Sequence, residues 1–198
     1  MRTPKEDVTM AKRKKGVAPI YQLRVALRDI RPPVWRRVLV PGDVTLAELH
    51  EVVQDVMGWL DYHLWEFTVD GEIYTTPSID EYRSVIDAEQ VTLQQVAPNE
   101  GDRLHYLYDL GDSWEHVIEV EAVLPPDPEG QYPVCVEGGR ACPPEDVGGV
   151  SGYYYFLEAI RNPRHEEHES YLTWVGGAYD PEAFDVEEAN ARLATPRT

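Results

Sequence analysis

The chain has 198 residues, 42% of them hydrophobic with five tryptophans and twelve tyrosines, enough for one folded domain with its own core rather than a disordered protein. Its formal net charge of −18 conceals an asymmetry, because residues 1–37 hold eleven basic side chains against three acids and the remainder is correspondingly more acidic. An acidic body repels phosphate backbones, no apolar run approaches the ~20 residues of a membrane helix, and no signal-peptide core is present, so duplex nucleic acid, membrane and secretion are disfavoured and a cytoplasmic location is expected.

Residues 1–18 are polar, basic and aperiodic and read as a disordered leader, with residues 19–195 as the folded domain. Nucleic acid could be met only through Lys12-Arg13-Lys14-Lys15, and a solvated tail is the simpler reading of that run. From Ile20, the residues Tyr21, Leu23, Val25 and Leu27 alternate with polar or small neighbours, the pattern of a half-buried strand. Arg31-Pro32-Pro33 breaks the ladder, residues 34–40 resume as an antiparallel return, and Pro41-Gly42-Asp43 turns the chain. Thr45 with Glu48 fits a capping box, and Leu46, Leu49, Val53, Val56 and Met57 then recur at helical spacing up to Gly58, a C-cap. His50 follows Leu49 and is expected at the edge of that stripe, as a surface or boundary histidine.

Trp65, Phe67 and Val69 alternate with polar residues before the turn Asp70-Gly71 and residues 72–74, which predicts a hairpin. Residues 75–90 read as a surface excursion and residues 91–96 as one helical turn. A second hairpin is predicted from Leu104, Tyr106 and Tyr108, the turn Asp109-Leu110-Gly111-Asp112, and the inward set Trp114, His116, Ile118 and Val120. That register points His116 inward and gathers Asp109 and Asp112 near one hairpin end. Residues 125–149 are irregular and rich in Pro and Gly, and a loop of that length inside a domain is functional or pinned by something. Ser151 is expected to cap a helix with Tyr153, Phe156, Leu157 and Ile160 on one face, stopped at Asn162-Pro163; residues 165–175 read as another helix, and Asp185 starts a short last one.

The side chains with chemistry fall in two stretches. His116 beside Asp109 or Asp112 is a candidate general base, since a carboxylate fixes the tautomer and raises basicity, although a buried histidine bonded to a carboxylate for structural reasons is the preferred reading. Glu145-Asp146 after Pro143-Pro144 is a candidate carboxylate pair, although the acidic start of a helical turn is the simpler reading. Cys135 and Cys142 are too far apart for a zinc knuckle, which uses C-x₂₋₄-C pairs, and would need His116, His63 or His105 as partners, so buried thiols are preferred over zinc. No G-x-S-x-G, G-x-x-x-x-G-K-[ST] or G-x-G-x-x-G occurs, which leaves serine hydrolase and nucleotide-binding chemistry without support.

Ile30-Arg31-Pro32-Pro33-Val34-Trp35-Arg36-Arg37, Leu49-His50, Gly58-Trp59, His63-Leu64, Tyr108-Asp109, Gly111-Asp112-Ser113-Trp114-Glu115-His116, Ala141-Cys142-Pro143-Pro144-Glu145-Asp146, Gly148-Gly149 and Gly152-Tyr153 form an ordered set of motifs. Together they resemble the plasmid pRiA4b ORF-3-like family over roughly residues 18–190. The resemblance implies a small α+β protein associated with plasmids and mobile elements; some members are labelled as insertion-element passenger proteins of the TnpR type. It brings no established activity. Many members carry a further cysteine where this chain has Val147. A resolvase role does not fit the residues, because a recombinase needs arginines around phosphate and a basic DNA-binding domain, and this body is acidic.

The expected architecture is α+β, a mostly antiparallel sheet of hairpins packed against several helices in a single domain. The expected function is a non-catalytic binding or regulatory module with one motif-lined pocket, whose candidates are Tyr108, Asp109, Asp112, Trp114, His116, Pro143, Glu145, Asp146 and Tyr153. Acidity suggests a protein partner or a small basic ligand. The alternative is a metal-assisted hydrolase using His116, Asp109, Asp112, Glu145 and the cysteines.

Overall fold

Period-two alternation along the chain becomes a single eight-stranded sheet in the structure, a computed structural model that describes residues 18–77 and 84–195. The leader through residue 17 and the middle of the 75–90 excursion lie outside the described residues. The strands are β1 (Ile20–Leu27), β2 (Trp35–Pro41), β3 (Trp65–Val69), β4 (Glu72–Thr75), β5 (Ile86–Asp87), β6 (Arg103–Tyr108), β7 (Trp114–Leu124) and β8 (Val134–Gly139). Their order is β5-β4-β3-β6-β7-β1-β2-β8, and only the short β4–β5 pair is parallel. The helices are α1 (Leu46–Met57), α2 (Leu93–Val96), α3 (Gly149–Arg161), α4 (His168–Trp174) and α5 (Val186–Leu193).

The two predicted hairpins form, with Phe67 opposite Tyr74 and Tyr106 opposite His116. In β2, β3, β6 and most of β7 alternate residues are buried, so one sheet face is covered while the other meets water, as antiparallel sheets allow. On the wet face Arg28 pairs with Glu115 and Arg103 with Glu119, while Arg37 reaches both Glu121 and Glu137. The Arg37 bonds hold the Glu121 carboxyl below its ordinary range. Two arginines of the basic N-terminal third, Arg28 and Arg37, are therefore paired with carboxylates of other strands.

Thr45 and Glu48 complete the capping box of α1, and Gly58 ends the helix in the left-handed region at φ 92°, where a side chain would be strained. His50 departs from expectation. It is buried, stacked on Trp65 at 4.1 Å, with Nδ1 2.8 Å from the Tyr106 hydroxyl and Nε2 2.8 Å from Asp61 Oδ1. Gln54 also donates to the Tyr106 hydroxyl, so both α1 side chains fasten the helix to β6.

The irregular 125–149 stretch contains β8, which pairs with β2 at the sheet edge, and Asn190 of α5 bonds both the N–H and the carbonyl of Cys135 there. α3 begins at Gly149, two residues before the expected cap at Ser151, because Gly148 takes the left-handed cap position at φ 94°. Fewer residues than expected form α4, which starts at His168. The core joins the inward faces of the sheet to Leu49, Val53 and Val56 of α1 and to Tyr153, Phe156 and Leu157 of α3.

Candidate functional site

The two motif stretches meet. Tyr108, the last residue of β6, donates its hydroxyl proton to Glu145 Oε1 at 2.7 Å, and Leu60 N–H donates to the same oxygen at 3.0 Å. Burial, followed by the Glu145 carboxylate, pushes the Tyr108 phenol well above its usual range. Tyr62 N–H donates to the Tyr108 oxygen, and the indole N–H of Trp59 donates to the Pro143 carbonyl at 3.0 Å. A third stretch therefore takes part, the loop of residues 58–64 that runs from the end of α1 into β3. Its Trp59 is the hinge pin: it stacks on Tyr108 at 4.9 Å and meets His116 edge-on at 5.4 Å.

The hairpin turn is fixed by its own carboxylates. Asp109, in the left-handed region at φ 56°, accepts from Gly111 N–H and Asp112 N–H through Oδ1. Asp112 Oδ2 accepts from Gly148 N–H at 2.9 Å, at the start of α3, where a negative charge also complements the helix dipole. A Cβ on Gly149 would lie 2.3 Å from the Asp112 carbonyl oxygen, so only glycine allows this approach. Tyr153 of α3 is fully buried, and its hydroxyl meets that of Tyr179, which donates to the Cys142 carbonyl.

One group of three metal-ligand side chains occurs among the described residues. His63, Asp109 and Asp146 bring one ligand atom each to within 4.8 Å of one another. His63 Nε2 lies 3.1 Å from Asp146 Oδ1 and 3.7 Å from Asp109 Oδ2, yet that buried nitrogen has no partner aligned for a hydrogen bond. Asp109 is buried while Asp146 is 70% exposed, so the group opens outward. Leu60 at 64%, Tyr62 at 74% and Leu110 at 44% exposure come from the same two loops.

The remaining predicted residues separate from this group. His116 is completely buried and donates from Nδ1 to the Trp114 carbonyl rather than to Asp109 or Asp112; its Nε2 is buried without a hydrogen-bond partner. Burial lowers its pKa to about 4, so it is neutral near pH 7. Trp114 is buried beside it. Cys135 is a buried residue of β8 with its thiol against the Glu137 carbonyl, and burial pushes the Cys142 thiol up to about 12. Neither cysteine nor His116 joins the three-ligand group. The participation of the 58–64 loop was not among the sequence expectations apart from His63. Its one available signal was its place in the motif set, since a loop has no periodicity to read.

Residues 19–188 match the family described as Plasmid pRiA4b ORF-3-like protein. The chain belongs to that family. It is 41% identical over 177 residues to a Sinorhizobium fredii protein described as uncharacterized protein y4hQ, a match that covers 88% of this chain and 90% of the relative. It is also similar to the crystal structure of a protein of unknown function, MM3350 from Methanosarcina mazei Go1, with a TM-score of 0.81 and 35% identity over 88% of this chain and 98% of that one. Among the described residues no helix is long and apolar enough to cross a membrane.

Proposed function

We propose that this member of the pRiA4b ORF-3-like family is a non-catalytic binding module whose motif-lined site holds a divalent cation through His63, Asp109 and Asp146. The observation that carries the reading is the His63 nitrogen, buried and without an aligned hydrogen bond while two carboxylates stand beside it. A buried polar atom with no partner is costly, and a cation accepting its lone pair would satisfy it. An imidazole with two carboxylates is a ligand set suited to zinc or manganese. The exposed Leu60, Tyr62 and Leu110 on the same loops suit a protein partner that covers the site. The association with plasmids and mobile elements remains part of this proposal, as a setting rather than a chemistry.

A metal-assisted hydrolase on the same three ligands is the second reading, favoured by the outward opening that would leave coordination positions for water. Of the groups first considered for it, Asp109 stays in the ligand set, whereas His116 is buried against its own strand and the Cys142 thiol is held protonated. The test is equilibrium dialysis of the full chain against zinc and manganese, followed by elemental analysis. One equivalent of metal that His63→Gln abolishes supports the binding reading. Failure of both metals to bind above background contradicts it, and metal-dependent hydrolysis of a model ester would move the assignment to the second reading.

A further inference from the structure

Between the buried Trp59 and Trp65 the chain alternates the wrong way round: Leu60, Tyr62 and Leu64 are exposed, whereas the polar Asp61 and His63 are half-buried. A loose loop would relieve that exposure by folding its apolar side chains down, but this one is pinned. Leu60 N–H donates to Glu145 Oε1, Tyr62 N–H to the Tyr108 hydroxyl, and Asp109 N–H to the Leu64 carbonyl at 2.9 Å. Asp61 Oδ1 lies 2.8 Å from His50 Nε2, and its backbone takes φ 60°, a left-handed value that aspartate tolerates. The Asp109 bond also sets the exposed Leu110 next to Leu64. Single apolar side chains on a surface need no explanation, but three held outward on one pinned segment with a fourth beside them make an apolar ridge.

Carboxylates border this ridge. Residues 58–64, 108–112 and 141–149 contain no lysine or arginine. Asp109, Asp112 and Glu145 accept from N–H groups or from the Tyr108 hydroxyl, and Asp146 stands beside His63. Neutral donors leave the charge of those carboxylates in place, and a divalent cation on the His63 group offsets only part of it, so the field over the ridge stays negative. Two copies of the chain meeting here would set like charges against each other. We propose that the ridge docks a segment of a partner protein in which apolar side chains are interspersed with lysine or arginine. The apolar side chains of that segment cover Leu60, Tyr62, Leu64 and Leu110, while its cations face Asp146 and the ring of Tyr62. The inference rests on the motif region being a binding surface, to which it assigns a partner chemistry, and it holds with or without the cation.

The test is fluorescence anisotropy with the full chain in metal-free buffer, which keeps its outcome apart from that of the zinc and manganese dialysis. The probe is a short dye-labelled peptide of alternating lysine and leucine, and its two controls replace leucine by serine or lysine by glutamate. The lysine–leucine peptide should bind the wild type about tenfold or more tightly than either control, since covering even one leucine is worth that factor. Leu60→Ser/Tyr62→Ser should lower that affinity by about tenfold and leave the weak binding of the lysine–serine control unchanged. Both side chains are exposed, so the urea midpoint of the double variant should stay where it is. Equal affinity of the wild type and the double variant would reduce the binding to the general attraction of an acidic protein for a polycation and overturn the proposal. Preference for the glutamate–leucine control would overturn it through its charge argument. Dimerisation of the wild type that the double variant abolishes would assign the ridge to a second copy and overturn it too. Zinc binding by a chain that ignores the peptide would overturn this inference alone, and peptide binding by a chain that holds no metal would support it while removing the cation.

Discussion

The inner and outer parts of the motif region carry residues of the same types but do different work. Inside, Trp59, Tyr108, Trp114 and His116 are buried, and the Trp59, Tyr108 and His116 side chains bond backbone groups or Glu145. Outside, His63 and Asp146 are partly open, and the loops around them expose leucine and tyrosine. A motif is thus two things at once, a scaffold that fixes loop geometry and a small set of groups that scaffold holds toward solvent. His116 and His63 make the contrast sharpest: each has a ring nitrogen without an aligned partner, but one faces the core and the other faces two carboxylates.

Substitutions that separate the two layers should differ in what they damage. Trp114→Ala removes a buried indole from the inner layer and should cost about 3 to 5 kcal/mol in urea unfolding. A loss under about 1 kcal/mol would mean that the inner layer is not close-packed as described. His116 comes next through pH. Its folded pKa lies below that of the unfolded chain, so as pH falls from about 6.5 to about 4 the unfolded state takes up a proton that the folded state refuses. Stability should therefore decline across that window by an amount on the order of 3 kcal/mol, be unaffected above it and level off below it. The difference between wild type and His116→Gln isolates this contribution from the carboxylates that titrate nearby, and identical profiles would remove His116 from the account.

Tyr108→Phe tests the seam between the layers. It deletes the hydroxyl that donates to Glu145 and accepts from Tyr62, and should cost about 1 to 3 kcal/mol. Limited proteolysis should then show earlier cleavage around residues 143–148. Asp146→Asn belongs wholly to the outer layer and should change stability in metal-free buffer by less than about 0.5 kcal/mol.

The inner layer was largely legible because local rules generate it. Alternation from Trp114 to Val120 and the cap residues Thr45, Glu48 and Gly58 state their structure in neighbouring residues. One pocket shared by the two stretches was expected, but the pairs that make it were not legible, because they lie far apart in the chain, such as Trp59 with Pro143 and Tyr108 with Glu145. His50 was misplaced for the same reason: helical spacing put it at the edge of a stripe, while Asp61 and Tyr106 supply the partners that allow its burial. β8 escaped notice because its strand-favouring residues, Val134 and Val136, make too short a run before Glu137-Gly138-Gly139 to show alternation; pairing with β2 makes it a strand. For Asp146, the neighbouring prolines and acids made a helical turn the simpler reading, and only the approach of His63 sets the side chain apart.

The most direct measurement is a calorimetric titration of zinc into the full chain, alongside Asp146→Asn and His116→Gln. The account predicts one site in the wild type, an affinity lowered at least about tenfold by Asp146→Asn, since even supporting residues of metal sites cost that much, and no change with His116→Gln. Equal binding by wild type and Asp146→Asn, or weakening caused by His116→Gln alone, would contradict the division into an outer layer that binds and an inner layer that holds.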